Sequence, residues 1–184
     1  MIDFDIQNEL SSNLSPGEKL LWTGRPRKGV LLRSNDIFLI PFSLFWMGFV
    51  IFWETSAARS GAPTFFLLFG IPFVVMGLYL TLGRFFIDAR KRANTIYGIT
   101  DQRILIKTSG RGSNIKSLNI KTLSDITFSQ KADGSGTILL GPVDPRYARL
   151  QGMAWPGVQQ TPCLELIDDV KTVFDKIIEL QRQN

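Results

Sequence analysis

Residues 37–53 read IFLIPFSLFWMGFVIFW and residues 60–83 read SGAPTFFLLFGIPFVVMGLYLTLG, and neither stretch holds a charged side chain. As a helix the first run would reach about 25 Å, and the run from Thr64 to Leu82 about 28 Å. Both match a hydrocarbon core of about 30 Å. Uncharged runs this long are rare in soluble cores. The pair therefore reads as a transmembrane helical hairpin within residues 37–86, with spans 37–53 and 64–83 and an outside loop at 54–63.

The 45% hydrophobic content is ordinary for a soluble domain, but the apolar residues are segregated. Eleven of the 14 phenylalanines lie between Phe38 and Phe86, which concentrates them in the hairpin. The net charge is +5, and its placement matters more than its size. Lys19, Arg25, Arg27, Lys28 and Arg33 precede the first span; Arg84, Arg90, Lys91 and Arg92 follow the second; Arg59 alone lies in the connection. Positive residues near span ends stay cytoplasmic. Both termini are thus expected on the cytoplasmic side of a membrane, with the multi-pass hairpin projecting its loop outward. The single cysteine, Cys163, excludes an intramolecular disulfide framework, and the absence of histidine removes the commonest general base and metal ligand. No metal and no cofactor is expected.

Residues 1–36 form an N-terminal cytoplasmic segment. Ile6, Leu10 and Leu14 share a helical side there, Ser15-Pro16-Gly17 ends it, and Leu20–Thr23 is a short apolar patch able to join a sheet. Beyond the hairpin, Gly83 to Asn94 continues as a basic helix. The period then becomes alternating: 95–100, 103–108, 115–120, 124–130, 137–140 and 163–167 read as strands joined by tight turns, hence an antiparallel sheet with one face buried. Residues 141–162 interrupt them as a proline-rich loop insertion. A last helix follows Asp168-Asp169, with Val170, Val173, Phe174, Ile177 and Ile178 on one face. The fold class is a membrane α+β protein, with residues 87–184 as its cytoplasmic sheet domain.

Candidate contacts for lipid or a partner are the basic Arg84, Arg90, Lys91 and Arg92, Arg111 between two glycines, and Arg146, Arg149 and Trp155 on the loop. Topology anchoring accounts for the helix cations equally. In the first span Phe38, Phe42, Phe45, Phe49 and Phe52 recur at steps of four and three, while Gly70 and Gly77 open a small-residue groove in the second. Aromatic knobs in that groove would make a helix seam, within one chain or between copies; the alternative is that the rings face lipid. Arg103 reads as structural, pairing across the sheet with an acid such as Asp125.

Several words of the sequence resemble the bacterial pleckstrin-homology (PH) domain membrane proteins. They are Pro16-Gly17-Glu18, Leu21-Trp22, Gly24-Arg25-Pro26, then two spans, then Tyr97-Gly98-Ile99-Thr100-Asp101-Gln102-Arg103-Ile104, Gly136-Thr137-Ile138 and the helix from Asp168-Asp169-Val170. The resemblance implies a PH-like antiparallel barrel capped by a C-terminal helix, tethered to the membrane, without catalytic chemistry. Lipid-binding PH domains resemble one another in a basic loop between their first two strands. With 95–100 and 103–108 taken as those strands, the loop is only Asp101-Gln102, so a headgroup pocket does not carry over.

The function expected is a non-enzymatic, membrane-anchored interaction or scaffold module that recruits protein or anionic lipid, homo-oligomer formation included. An accessory subunit of a transport or secretion complex fits the same features. A lipid-modifying enzyme would need a nucleophile or an acid–base pair, and no such motif is present. No aromatic–basic sheet face points to nucleic acid, and no small-molecule substrate is evident.

Overall fold

The computed structural model describes residues 4–29, 36–110, 112–142 and 161–183. Two compact units divide the chain: residues 1–29 with 90–184, and residues 30–89. The sheet unit is therefore discontinuous in sequence, and extends beyond the expected 87–184.

In the sheet unit, α1 (Phe4–Ser11) is followed by β1 (Leu20–Gly24). The hairpin elements come next in sequence: α2 (Asp36–Arg59), α3 (Thr64–Leu78), a π turn (Tyr79–Gly83) and α4 (Arg84–Ala93). Then come β2 (Thr95–Thr100), β3 (Arg103–Ser109), β4 (Ser113–Asn119), β5 (Ile126–Gln130), β6 (Gly136–Leu140), β7 (Cys163–Ile167) and α5 (Val170–Gln183). One antiparallel sheet runs β1-β2-β3-β4 and another β5-β6-β7. Thr23 opposes Gly98 across β1 and β2, and Ile104 opposes Leu118 across β3 and β4.

Alternation builds the core. Tyr97, Ile99 and Ile104 from the first sheet meet Ile138, Leu140, Leu164 and Ile167 from the second. Val170, Val173, Ile177 and Leu180 of α5 close over them at helical steps of three and four. Tyr97 ties the layers together: its hydroxyl accepts a 3.0 Å hydrogen bond from the Glu165 N–H, and burial raises its pKa.

The first sheet departs from the expected half-buried pattern. All six residues of β2 are buried, because α1 covers its outer face with Ile6 and Leu10 against Ile96. Gly98 permits that approach: a Cβ there would stand 2.7 Å from Leu10 Cδ1 and 3.1 Å from Leu20 Cδ1.

In the other unit, the first helix runs on through Arg59, so the connection shortens to residues 60–63. The second continues to Ala93 through the π turn. Only 17% and 11% of their most apolar windows are buried, which is the reverse of a soluble core helix.

Candidate functional site

Among the described residues, three groups of ionic contacts organise the sheet unit, and the most buried joins two of the sequence words singled out above. Ser15-Pro16-Gly17-Glu18 closes a type II-like turn, in which Glu18 N–H donates to Ser15 O at 3.0 Å and Gly17 takes φ +83°. This delivers the Glu18 carboxylate to the end of β2. Arg103 reaches it bidentately, Nε to Oε1 and Nη2 to Oε2, both at 2.8 Å. Thr100 Oγ1 and the Ser15 N–H each donate to it at 2.7 Å. The Glu18 side chain has no exposed surface, and the Arg103 hydrogen bond foremost lowers its pKa to about 2. Arg103 thus pairs with Glu18 and not with Asp125, which lies exposed at φ +53°. The bidentate geometry makes this a structural clamp.

The second contact fastens the chain leaving β1. Arg27 donates to Asp133 at 2.6 Å and to Asp168 at 3.1 Å, and its N–H donates to Leu166 O. Asp133 is held at a pKa of about 2, first by Ser135 and then by Arg27. The third is Lys107 with Glu9, 3.3 Å apart, which pins α1.

With β1 in the sheet, the connection between the first two strands is residues 25–94, and Asp101-Gln102 is the β2–β3 turn. This corrects the expectation that the first inter-strand loop is two residues long. The error came from taking 95–100 as the first strand, when pairing supplied an earlier one. The helical hairpin is the content of that connection, and its two feet carry Arg25, Arg27 and Lys28 on one side and Arg90, Lys91 and Arg92 on the other. Arg25, Lys28, Arg90 and Lys91 are exposed. Arg92 is buried, its Nη2 donating to Gly29 O at 2.7 Å, which draws the two feet together.

Within the hairpin, Arg84 does not stand free for lipid. Its Nη1 meets Asp36 at 2.7 Å, its Nε donates to Leu80 O, and its guanidinium lies over Phe85. Between the helices, Gly77 faces Trp46 and Met47, while Gly70 faces Trp53 and Glu54. Thr81 Oγ1 and Trp46 Nε1 approach the carbonyls of Ser43 and Phe73. The buried positions of α2 are Asp36, Ser43 and Val50, a seven-residue repeat. Phe38, Phe42, Phe45, Phe49 and Phe52 are instead 51–79% exposed. Their stripe is not the seam between these two helices: small and polar residues permit close backbone approach, and rings would hold the helices apart.

Arg111, Arg146, Arg149 and Trp155, with the rest of residues 143–160, lie outside the described residues. A polar hollow of about 530 Å³ in the sheet unit is lined by Asp101, Gln102, Asn119, Lys121, Leu180 and Gln183. It pairs no nucleophile with a base. Among the described residues no cluster of three His, Cys, Asp or Glu side chains could hold a metal.

A four-stranded and a three-stranded antiparallel sheet, closed by a C-terminal helix, define a PH-like domain. Here that domain carries an apolar helical hairpin in the connection between its first two strands. No family model matches the chain. A protein of Rhodobacter capsulatus named "uncharacterized 23.7 kDa protein in puhA 5′ region" is 30% identical over 163 residues, which cover 84% of this chain and 72% of that one. The chain belongs to the family of that protein. Among solved structures, a DUF1696 family protein with a pleckstrin-homology domain from Shewanella loihica PV-4 aligns over 98% of this chain and 99% of its own, at 10% identity and a TM-score of 0.42. The PH-like description rests on strand order and the closing helix.

Proposed function

We propose that this protein is a membrane-anchored, non-enzymatic interaction module of the bacterial inner membrane. The hairpin spans the bilayer, and the PH-like domain works at the cytoplasmic face as a scaffold for a protein partner or for anionic lipid. One observation carries the reading. The apolar side chains of the hairpin are turned outward, with the Phe38–Phe52 stripe 51–79% exposed, as a surface solvated by hydrocarbon requires. The exposed cations Arg25, Lys28, Arg90 and Lys91 at the feet support the cytoplasmic assignment. They also add about 1 kcal/mol each to attraction for an anionic leaflet.

Thiol accessibility in intact cells tests this. In a Cys163→Ser background, a membrane-impermeant reagent should label Ser60→Cys in the hairpin turn. It should leave Ser129→Cys, exposed on β5, unlabelled until lysis. Labelling of both in intact cells, or recovery of the protein in the soluble fraction, would sink the anchored reading.

A further inference from the structure

Resting on the anchored reading, we propose that the outward half of the hairpin holds a phospholipid bearing a primary ammonium headgroup, its chain in an aromatic cleft and its ammonium on Glu54. The cleft, about 210 Å³, is lined by Trp46, Phe49, Val50, Trp53, Phe69 and Phe73. Its walls are rings and a branched alkyl group. Their ring contacts run from Trp46 to Phe73 at 6.3 Å and from Phe73 to Phe69 at 5.4 Å. The cleft opens on the hairpin's exposed apolar face, where Phe49 and Phe69 are 57% and 54% exposed. At that depth an acyl chain is the occupant that matches a lining with so little polarity.

Glu54 supplies the other end. It is the only acid between Ile37 and Phe86. It lies one residue nearer the turn than Trp53, and Gly70 makes room for it: a Cβ at residue 70 would fall on the Glu54 carboxyl and crowd Trp53. Its Oε1 is buried against Gly70 and has no hydrogen-bond partner, while the residue as a whole is only half-buried. A buried carboxylate oxygen without a donor is costly, and a cation at the half-exposed side of the residue offsets that charge. Counting from residue 45, the middle of the uncharged run, Glu54 stands about 13 Å along the axis. That is close to the boundary of a core about 30 Å thick, where headgroups begin. A primary ammonium offers charge and three N–H donors to an acid at that level; a quaternary ammonium offers charge alone. The cleft lies directly on the core side of the carboxyl, so tail and headgroup are aligned as in a lipid.

The test uses the full chain reconstituted in vesicles of phosphatidylethanolamine, its N-methyl and N,N-dimethyl derivatives, or phosphatidylcholine, with identical chains. Retained lipid is measured by mass spectrometry after detergent extraction, and cleft occupancy by tryptophan quenching with chain-brominated versions. Retention should fall stepwise with methylation, by roughly fivefold in all, the scale of one net hydrogen bond, because methylation removes N–H donors and keeps the charge. Glu54→Gln should abolish the headgroup preference while leaving quenching by the chain. Phe49→Ala, which removes a wall outside the helix seam, should lower retention of every lipid. A flat methylation series in the wild-type protein, needing no variant, overturns the proposal and leaves annular lipid only. So does a preference that survives Glu54→Gln, and so does competition between lipid and a second hairpin, seen as oligomers in place of retained lipid. Extraction by alkaline carbonate separates the two readings. Protein released from vesicles defeats the anchor itself, whereas protein that stays without headgroup preference defeats only the lipid site.

Discussion

The PH-like unit encloses Ile99, Ile104, Ile138, Leu164 and Ile177 completely and leaves its β4 and β5 residues to the surroundings. The hairpin reverses this. There the buried positions are Asp36, Ser43, Gly70 and Gly77 with only Val50 and Leu80 among the large apolar residues described, and the exposed ones are mostly Phe, Ile and Leu. Both units obey one rule, that each atom is matched to its surroundings. Opposite burial patterns in one chain are what the proposed anchoring, with two solvents, requires.

Substitutions should divide along the same line. The largest effect is expected for Ile138→Ala or Ile177→Ala in the domain core, about 3 kcal/mol from lost transfer energy and cavity. Denaturant unfolding of the full chain in detergent, followed through core-packed Trp22, would measure it. An equal loss for Phe45→Ala would erase the contrast between the units.

Arg103→Ala should cost nearly as much, about 3 kcal/mol, because Glu18 would remain buried without its cation. The clamp also has a pH signature. With the Glu18 pKa at about 2 against an ordinary 4.5, its stabilisation is complete above pH 4.5 and is lost as the pH falls toward 2. Acid unfolding of Glu18→Gln should be flatter across that window than acid unfolding of the wild type. A parallel pair of curves would place the acid sensitivity elsewhere.

In the hairpin, Gly77→Leu should loosen the helix pair by about 1–3 kcal/mol, since even a Cβ there lies 3.2 Å from Met47 Sδ and Trp46 Cδ1. Helix dissociation in graded SDS would report it. Phe45→Ala should change the same midpoint by less than about 0.5 kcal/mol, as expected of a side chain that is 75% exposed. If the order of those two were reversed, the phenylalanine stripe would be the seam after all. The feet fall between those two: Arg90→Ala and Lys91→Ala should each weaken the attraction of the domain for an anionic leaflet by about 1 kcal/mol, less at high salt, read as the loss of preference between anionic and neutral vesicles.

Much of this was legible in local patterns. The bounds of β2 and β7 agree with the alternating runs 95–100 and 163–167, and the hairpin follows from length and absence of charge. What escaped was non-local. Leu20–Thr23 was legible as a patch able to join a sheet, but the partner that makes Leu20–Gly24 a strand, β2, lies beyond the hairpin. Arg103 finds Glu18 across the whole hairpin, where sequence adjacency favoured Asp125. The phenylalanine stripe misled for a different reason. In water an apolar stripe marks the buried face, but in hydrocarbon every face is apolar and only small and polar residues distinguish the seam. The seven-residue spacing of Asp36, Ser43 and Val50 held that signal. Among the candidate site residues, Arg84 and Arg92 are engaged inside the protein, while Arg90 and Lys91 are exposed, a distinction that charge patterning does not make.

The pairing of β1 with β2 around the hairpin also sets an order of events in biogenesis. A ribosome releases Leu20–Gly24 well before Thr95–Thr100 exists, so the first sheet cannot close until both helices of the hairpin have been made. Closing so long a loop on a free chain is slow and entropically costly. A hairpin whose helices are already paired brings the two feet together and shortens the search. Under the proposed anchoring the hairpin is then a folding template for the domain, and a chain that fails to insert would leave β1 waiting for its partner, open to proteases. Insertion is in effect inspected by the fold that follows it.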